Sequence, residues 1–453
     1  MTRARIAPAP AAGLAMAALV AAVVAVLMPA PADARNPRKE LRKVWEAGSA
    51  GGGNWAVVVR PLGETDDDAA FEAEATLRLL PASTAKLFTA WTAAHVLPQD
   101  TTFATGWVCD CQRRAGSASL DGIFALFGGG APGLFSRARG DSLDPDPAPG
   151  VSALDSLARM VRDWGVDSLV GEIRVENSLY RADSLGAGWQ WDDLDEWYAA
   201  PVTALALDDN TEERQAGQRA AVHSPGSYAV ARFREALGRA GVAFREVRGG
   251  ARPGCDAPKS DTARFGELRW PPLRNVYHPM LARSQNLRAE MLLRDLGEAR
   301  RRSASARSGL DVVGNALAAI GLGVPADVRL VDGSGLSRLN LATADALARV
   351  LTDAWTRARD GEQGMQALLD GLARPGQRGT LIRRFTADPW SALPAGWLRA
   401  KTGSMDGVDA LAAIVQPDSE RAYVVISLRN RFPETHSDAR EWEERLIRVL
   451  VEE

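Results

Sequence analysis

The lysines are what constrain this chain most. Of its 54 basic residues only five are lysine, at positions 39, 43, 86, 259 and 401, and the rest are arginine. A composition that exchanges lysine for arginine so freely retains lysine where a proton must be able to leave, since a guanidinium stays charged to above about pH 12. Lys86 stands three residues after Ser83 in Ser83-Thr84-Ala85-Lys86, and Lys401 opens Lys401-Thr402-Gly403. The β-branched run at 54–61 predicts a strand, an acidic turn at Asp66–Asp68 follows, and 75–80 predicts a second strand, so that the two form a hairpin. Leu87, Phe88, Trp91, Ala94 and His95 then recur at helical spacing. That places Ser83 at the start of a helix of about four turns, at the positive end of its dipole, with Lys86 on the same face one turn along.

With 453 residues, 46% hydrophobic and 25% charged, the chain has material for two or three domains. A net charge of −3, with arginines scattered singly or in short clusters such as Arg300–Arg302, excludes nucleic acid as the main partner. Arg3 and Arg5 precede an apolar run from Ala11 to Met28, and Ala32-Asp33-Ala34 supplies the small residues of a cleavage site. Residues 1–34 therefore read as a secretory signal peptide cut near Ala34, the Pro-rich end favouring cleavage over a retained anchor. The mature protein is expected in the periplasm or another extracytoplasmic cell-wall space, without a stable transmembrane anchor. Export permits disulfides, and Cys255 can bridge to either Cys109 or Cys111, leaving one cysteine free or paired between chains. The four histidines have no paired metal-ligand spacing, so neither a metal nor another cofactor is expected.

From 106 to 270 the character shifts, with Gly- and Pro-rich stretches at 128–133 and 144–150 between short strand and helix signals. This segment is expected to be an inserted domain or domains, and 35–105 with 271–453 the principal domain. Helical periodicity returns at 280–302, 310–320, 343–358 and 365–372, and again at 438–451. Residues 397–403, 411–416 and 422–428 read as three antiparallel strands with a turn at 405–409. The expected fold is α/β (α+β), one antiparallel sheet flanked by helices plus the large insertion.

The chemistry rests on three motifs in order: Ser83-Thr84-Ala85-Lys86, Ser284-Gln285-Asn286 and Lys401-Thr402-Gly403. The first alone is weak, since a capped helix with a lysine on it gives the same string; the set, each on a fitting element, is specific. A serine hydroxyl is a poor nucleophile until a neighbour takes its proton, and Lys86 can do so if burial and a second cation, Lys401, lower its pKa. Asn286 can hold a substrate carbonyl while fixing Lys86, and Ser284 can relay a proton to the departing amine. Lys401 and Thr402 offer a cation and a hydroxyl to a carboxylate, and Gly403 lets a substrate backbone approach the strand. The substrate implied is a peptide ending in a free carboxylate.

These motifs resemble those of the low-molecular-mass class C penicillin-binding proteins, D-alanyl-D-alanine carboxypeptidases and endopeptidases with a penicillin-binding/serine β-lactamase-like transpeptidase domain. Gly188-Trp189-Gln190-Trp191, Trp197-Tyr198-Ala199-Ala200-Pro201, Ala204–Asn210, Asp332–Arg338 and Arg378-Gly379-Thr380-Leu381 extend the likeness over nearly the whole mature chain. The resemblance implies Ser83 as nucleophile, Lys86 as general base, Ser284 as proton relay, and an oxyanion hole from the backbone amides of Ser83 and Ser404. It implies peptidoglycan stem peptides as substrates, cross-linked ones included, and β-lactams as acylating inhibitors; it leaves a homodimer open. One departure stands out: Ala131, in Gly128–Leu134, replaces the aspartate of the family's usual Gly-Asp-Pro pattern. A serine β-lactamase would need a deacylating base, yet no Glu-Xaa-Xaa-Xaa-Asn lies between Asn286 and Lys401; a purely binding protein would be signalled by a lost motif; and no Gly-Xaa-Ser-Xaa-Gly elbow exists. Trp189, Trp191 and Trp197 are expected in the core, whereas Asp332 and Ser334 fit a plain turn and an active-site border equally well.

Overall fold

In the computed structural model, which describes residues 36–63, 70–136, 152–180, 184–214, 218–247, 264–377 and 379–452, the chain enters as helix α1 (Pro37–Ser49). The Asn36 side chain caps α1 on Lys39 N, and proline at N1 costs it no hydrogen bond. Strands β1 (Asn54–Pro61) and β2 (Phe71–Ala73) pair antiparallel, so the hairpin forms, but its second strand lies earlier than 75–80. Glu74, at φ 51°, ends β2, and Leu79 spends its backbone bonds on Ala342 instead. A 3₁₀ turn (Ala82–Ala85) then leads into α2 (Lys86–Val96).

The next five-stranded sheet is drawn wholly from residues 102–272. It comprises β3 (Thr102–Arg113), β4 (Ser119–Gly128), β5 (Ser168–Glu176), β8 (Ala243–Glu246) and β9 (Arg264–Pro272), in the order β8-β5-β4-β3-β9. Helices α3 (Ala153–Asp163) and α4 (Pro225–Arg239) cover it through Leu157, Val161, Phe233 and Leu237. The short strands β6 (Thr211–Glu213) and β7 (Arg219–Ala221) pair separately. Cys109 and Cys111, two apart in β3 and so on one face of it, are joined in a disulfide with Cα atoms 5.3 Å apart, within the usual range. With those two joined, neither is left for the bridge to Cys255 that the sequence leaves open; Cys255 itself lies outside the described residues, as do residues 1–34.

Helices α5 (Tyr277–Leu281), α6 (Asn286–Arg301), α7 (Ala306–Ala319), α8 (Ala344–Arg359) and α9 (Gln363–Asp370) follow, with β10 (Val328–Arg329) and β11 (Leu341–Ala342) between them. The periodicity read as one helix over 280–302 is broken at Ser284, whose φ is 60°. Strands β12 (Leu398–Met405), β13 (Val408–Val415) and β14 (Tyr423–Asn430) and helix α10 (His436–Val451) close the chain. Their sheet, ordered β12-β13-β14-β1-β2, is antiparallel throughout, as the C-terminal alternation predicts. Both of its faces are buried. Val58, Ala412 and Ile426 join the large cluster containing Phe88 and Trp91 of α2, while Val57, Leu411 and Val425 pack with Leu41 of α1 and Ile447 of α10. At roughly 25 cal/mol per Å² of apolar surface, two such layers are the main stabilisation of the sheet that carries the third motif.

Candidate active site

Ser83 sits in the 3₁₀ turn ahead of α2, not at a regular helix start, and Ala82 before it has φ 45°. That strained conformation is held from three sides. Thr84 Oγ1 donates to Pro81 O at 2.6 Å. The Asn430 side chain, at the end of β14, grips Leu80 with one bond to its N–H (2.8 Å) and one to its carbonyl (3.1 Å). The third support is close packing of two glycines: a Cβ on Gly403 would stand 2.9 Å from Pro81 O and 3.0 Å from Ser83 N, and one on Gly335 would overlap Ala82 O at 1.9 Å. Gly403 is therefore required by the serine's own turn, beyond any access it gives to substrate.

Lys86, the first residue of α2, is fully buried, and its Nζ donates to Ser83 Oγ at 2.8 Å, Asn286 Oδ1 at 2.6 Å and Ser334 O at 2.6 Å. All three N–H bonds of the ammonium are used. A neutral amine would keep the bonds to Asn286 and Ser334, both pure acceptors, and turn its lone pair to the serine hydroxyl. Desolvation lowers the Lys86 pKa from an ordinary 10.5 to about 7, against the opposing charges of Asp332 and Glu290. Of the two causes the sequence names, burial is the one that lowers Lys86, while the repulsion between the two cations falls on Lys401. Lys401, also fully buried, is held well below its usual value by desolvation and then by Lys86. Its Nζ donates to Ser284 Oγ at 3.0 Å, and among the described residues no carboxylate pairs with it.

The second motif occupies the break between α5 and α6. The left-handed Ser284 aims its hydroxyl at Lys401, and Asn286 opens α6 facing Lys86. Asn286 Nδ2 also donates to Tyr198 O at 2.9 Å, which leaves one amide hydrogen for a substrate carbonyl. Thr402 and Ser404 follow Lys401 along β12, whose outer edge, among the described residues, is paired only at Ala400, with Ala373. The three motifs thus converge on one site.

A buried scaffold that motif spacing does not reveal holds this arrangement. Glu290, one turn after Asn286 in α6, accepts from Gly333 N (2.9 Å) and Ser334 N (2.8 Å) and is paired with Arg294 at 3.2 Å. Asp332 accepts from Gly335 N, Ser337 N, Asn340 Nδ2 and Trp189 Nε1 at 2.7 to 3.0 Å. Asp332 and Ser334 therefore both make the turn and border the site, Ser334 by giving Lys86 its carbonyl. Glu290 carries an upward pKa shift from burial, yet its bonds to backbone amides commit it to holding the loop. The tryptophans depart from the core expectation. Trp189 is half-buried on Asp332, but Trp191 is 85% and Trp197 40% exposed, on a segment that the sequence leaves without helix or strand periodicity. Among the described residues no group of three or more His, Cys, Asp or Glu side chains could hold a metal.

The antiparallel five-stranded sheet, with a serine one turn from a buried lysine on the facing helix, defines a serine hydrolase of the penicillin-binding and β-lactamase-like architecture. The chain belongs to the D-Ala-D-Ala carboxypeptidase 3 (S13) family, whose model matches residues 38–220 and 211–450. It is 29% identical over 360 residues to carboxypeptidase DacB of Mycolicibacterium smegmatis, spanning 80% of this chain and 73% of the relative. It is 25% identical to a D-alanyl-D-alanine carboxypeptidase of an Actinomadura species, over 77% of this chain and 73% of that one. In fold it is similar to penicillin binding protein 4 of Haemophilus influenzae, with TM-score 0.69 at 19% identity, over 90% of this chain and 98% of that one. A penicillin G-acylated predatory endopeptidase from Bdellovibrio bacteriovorus superposes with TM-score 0.53 at 15% identity, over 87% and 90% of the two chains.

Proposed function

We propose that this protein is an exported serine D,D-peptidase that removes the terminal D-alanine from peptidoglycan stem peptides, opens D,D cross-links between them, and is acylated by penicillins. The observation that carries this reading is the 2.8 Å contact between Ser83 Oγ and a fully buried Lys86 whose pKa is lowered to about 7. The names of the family and of its relatives support the substrate class.

Neutral Lys86 takes the Ser83 proton as Oγ attacks the carbonyl of the penultimate D-alanine. The amides of Ser83 and Ser404 stabilise the oxyanion, and the free hydrogen of Asn286 Nδ2 holds the acyl amide of the peptide. As the C–N bond breaks, Ser284 passes a proton to the departing amine, and the proton that Lys86 took from Ser83 replaces it by way of Lys401, 3.0 Å from Ser284 Oγ, so that Lys86 is neutral again. An incoming carboxylate raises the affinity of Lys401 for its own proton, against the lowering that burial and Lys86 impose. Water then attacks the acyl-enzyme with Lys86 again as base. The segment 106–270 acts as an inserted unit whose 197–198 stretch borders the site, and residues 1–34 direct export. The experiment is D-alanine release from a peptide ending in D-Ala-D-Ala by mature protein and its Ser83→Ala variant. Release abolished by the substitution, with an unchanged melting temperature, is the expected result; release that survives it sinks the nucleophile assignment.

A further inference from the structure

The imidazole of His436, first residue of α10, reaches the end of the third-motif strand. Its Nδ1 lies 2.6 Å from Asp409 Oδ2 and 3.3 Å from Ser404 Oγ. Asp409 is the cross-strand partner of Ser404 in the β12–β13 ladder, and its side chain is 3% exposed, against 37% for the imidazole. Arg440 Nε approaches the same carboxylate at 3.6 Å, the Arg384–Glu443 ion pair lies alongside, and Phe432 meets the imidazole edge-on. A contact that short with a carboxylate places the N–H on Nδ1, the tautomer being assigned from geometry. That hydrogen is then shared with Ser404 Oγ, which accepts and so has its own hydroxyl proton free to point outward. Strand alternation sets Ser404 and Thr402 on the same face of β12, so the two hydroxyls stand side by side. Asp409 faces Ser404 across the ladder, so without the imidazole the Ser404 proton has that buried carboxylate to turn to.

We propose that His436 is a positioning residue that acts through Ser404: it keeps the Ser404 hydroxyl available to the free carboxylate of the leaving D-residue, and so favours substrates that carry that carboxylate over amidated ones. This rests on the reading of β12 as the substrate strand. One charge-assisted hydrogen bond lost corresponds to about tenfold in affinity.

The test compares wild type, His436→Leu and His436→Asn on a peptide ending in D-Ala-D-Ala and on its C-terminal amide, with penicillin labelling and thermal unfolding in parallel. His436→Leu is expected to raise KM for the acid about tenfold, leave kcat within about twofold, and lower the acid-over-amide ratio of kcat/KM by the same factor. His436→Asn, whose amide nitrogen falls near the position of Nδ1, restores most of that ratio. Equal losses on both peptides, no loss on either, or an asparagine variant as impaired as the leucine one, overturns the inference. A wild type that neither releases D-alanine nor takes up penicillin overturns the functional reading instead.

Discussion

With Lys86 lowered to about 7 by burial, the proposed acylation of Ser83 should depend steeply on pH. The amine is half neutral at about 7 and its neutral fraction falls toward tenfold per pH unit below that, so the second-order rate of acylation by benzylpenicillin should drop about fiftyfold between pH 7 and pH 5. Stability carries the same signature. The folded state lowers the affinity of Lys86 for its proton relative to the unfolded chain, so between about 7 and the ordinary 10.5 the unfolded state binds more protons and stability rises with pH. Holding the amine that far down costs about 5 kcal/mol below pH 7, and roughly 2–3 kcal/mol of this is recovered by pH 9. Urea unfolding at pH 7 and pH 9 reads that gain directly, and Lys86→Met should lose most of it. Lys86→Arg keeps the charge but cannot surrender the proton, so its acylation should fall by about 10²- to 10⁴-fold. A rate flat from pH 5 to pH 9, or an inflection near 10, would refute the assignment of Lys86 as the base.

Two further perturbations bear on the scaffold. Gly403→Ala puts a methyl group 2.9 Å from Pro81 O and 3.0 Å from Ser83 N, both backbone atoms. Penicillin acylation should fall at least tenfold while the melting temperature drops only a few degrees, and normal acylation would show that the turn yields. Glu290→Gln removes one of the two carboxylate charges that oppose the lowering of the Lys86 pKa. The acid limb of the acylation profile should therefore move to lower pH, and a shift toward higher pH would contradict the electrostatic picture.

Hydrophobic period made the central sheet legible. The strands expected over 397–403, 411–416 and 422–428 form within three residues of those limits, because the sheet is buried on both faces and the second and third runs are apolar with β-branched residues, while the first pairs with the second along its length. The hairpin was legible and its second strand misplaced, since nothing in 75–80 signals that Leu79 bonds to Ala342, more than 260 residues along the chain. The motif residues were legible because lysine is scarce. Asp332 is singled out by its glycine-bounded turn, but Glu290, Asn340 and Asn430 were harder to find, as a buried polar side chain that satisfies backbone amides has no spacing of its own. Their signal is a charged or amide residue inside an apolar run, visible at Glu290 in α6 and at Asn430 ending β14. His436 had no such cue, for its partner Asp409 lies in another element and Ser404 was read only for its backbone amide. The exposure of Trp191 and Trp197 was missed because aromatic content alone does not separate core from rim.

The central claim is that Ser83, activated by a neutral Lys86, is acylated. It is tested most directly by the intact mass of the mature protein after incubation with benzylpenicillin, beside its Ser83→Ala variant. The account predicts a lasting mass gain of one penicillin per chain that maps to Ser83 and is absent from the variant. An adduct that persists in Ser83→Ala, or a wild type that stays unlabelled while the drug remains intact, would contradict it.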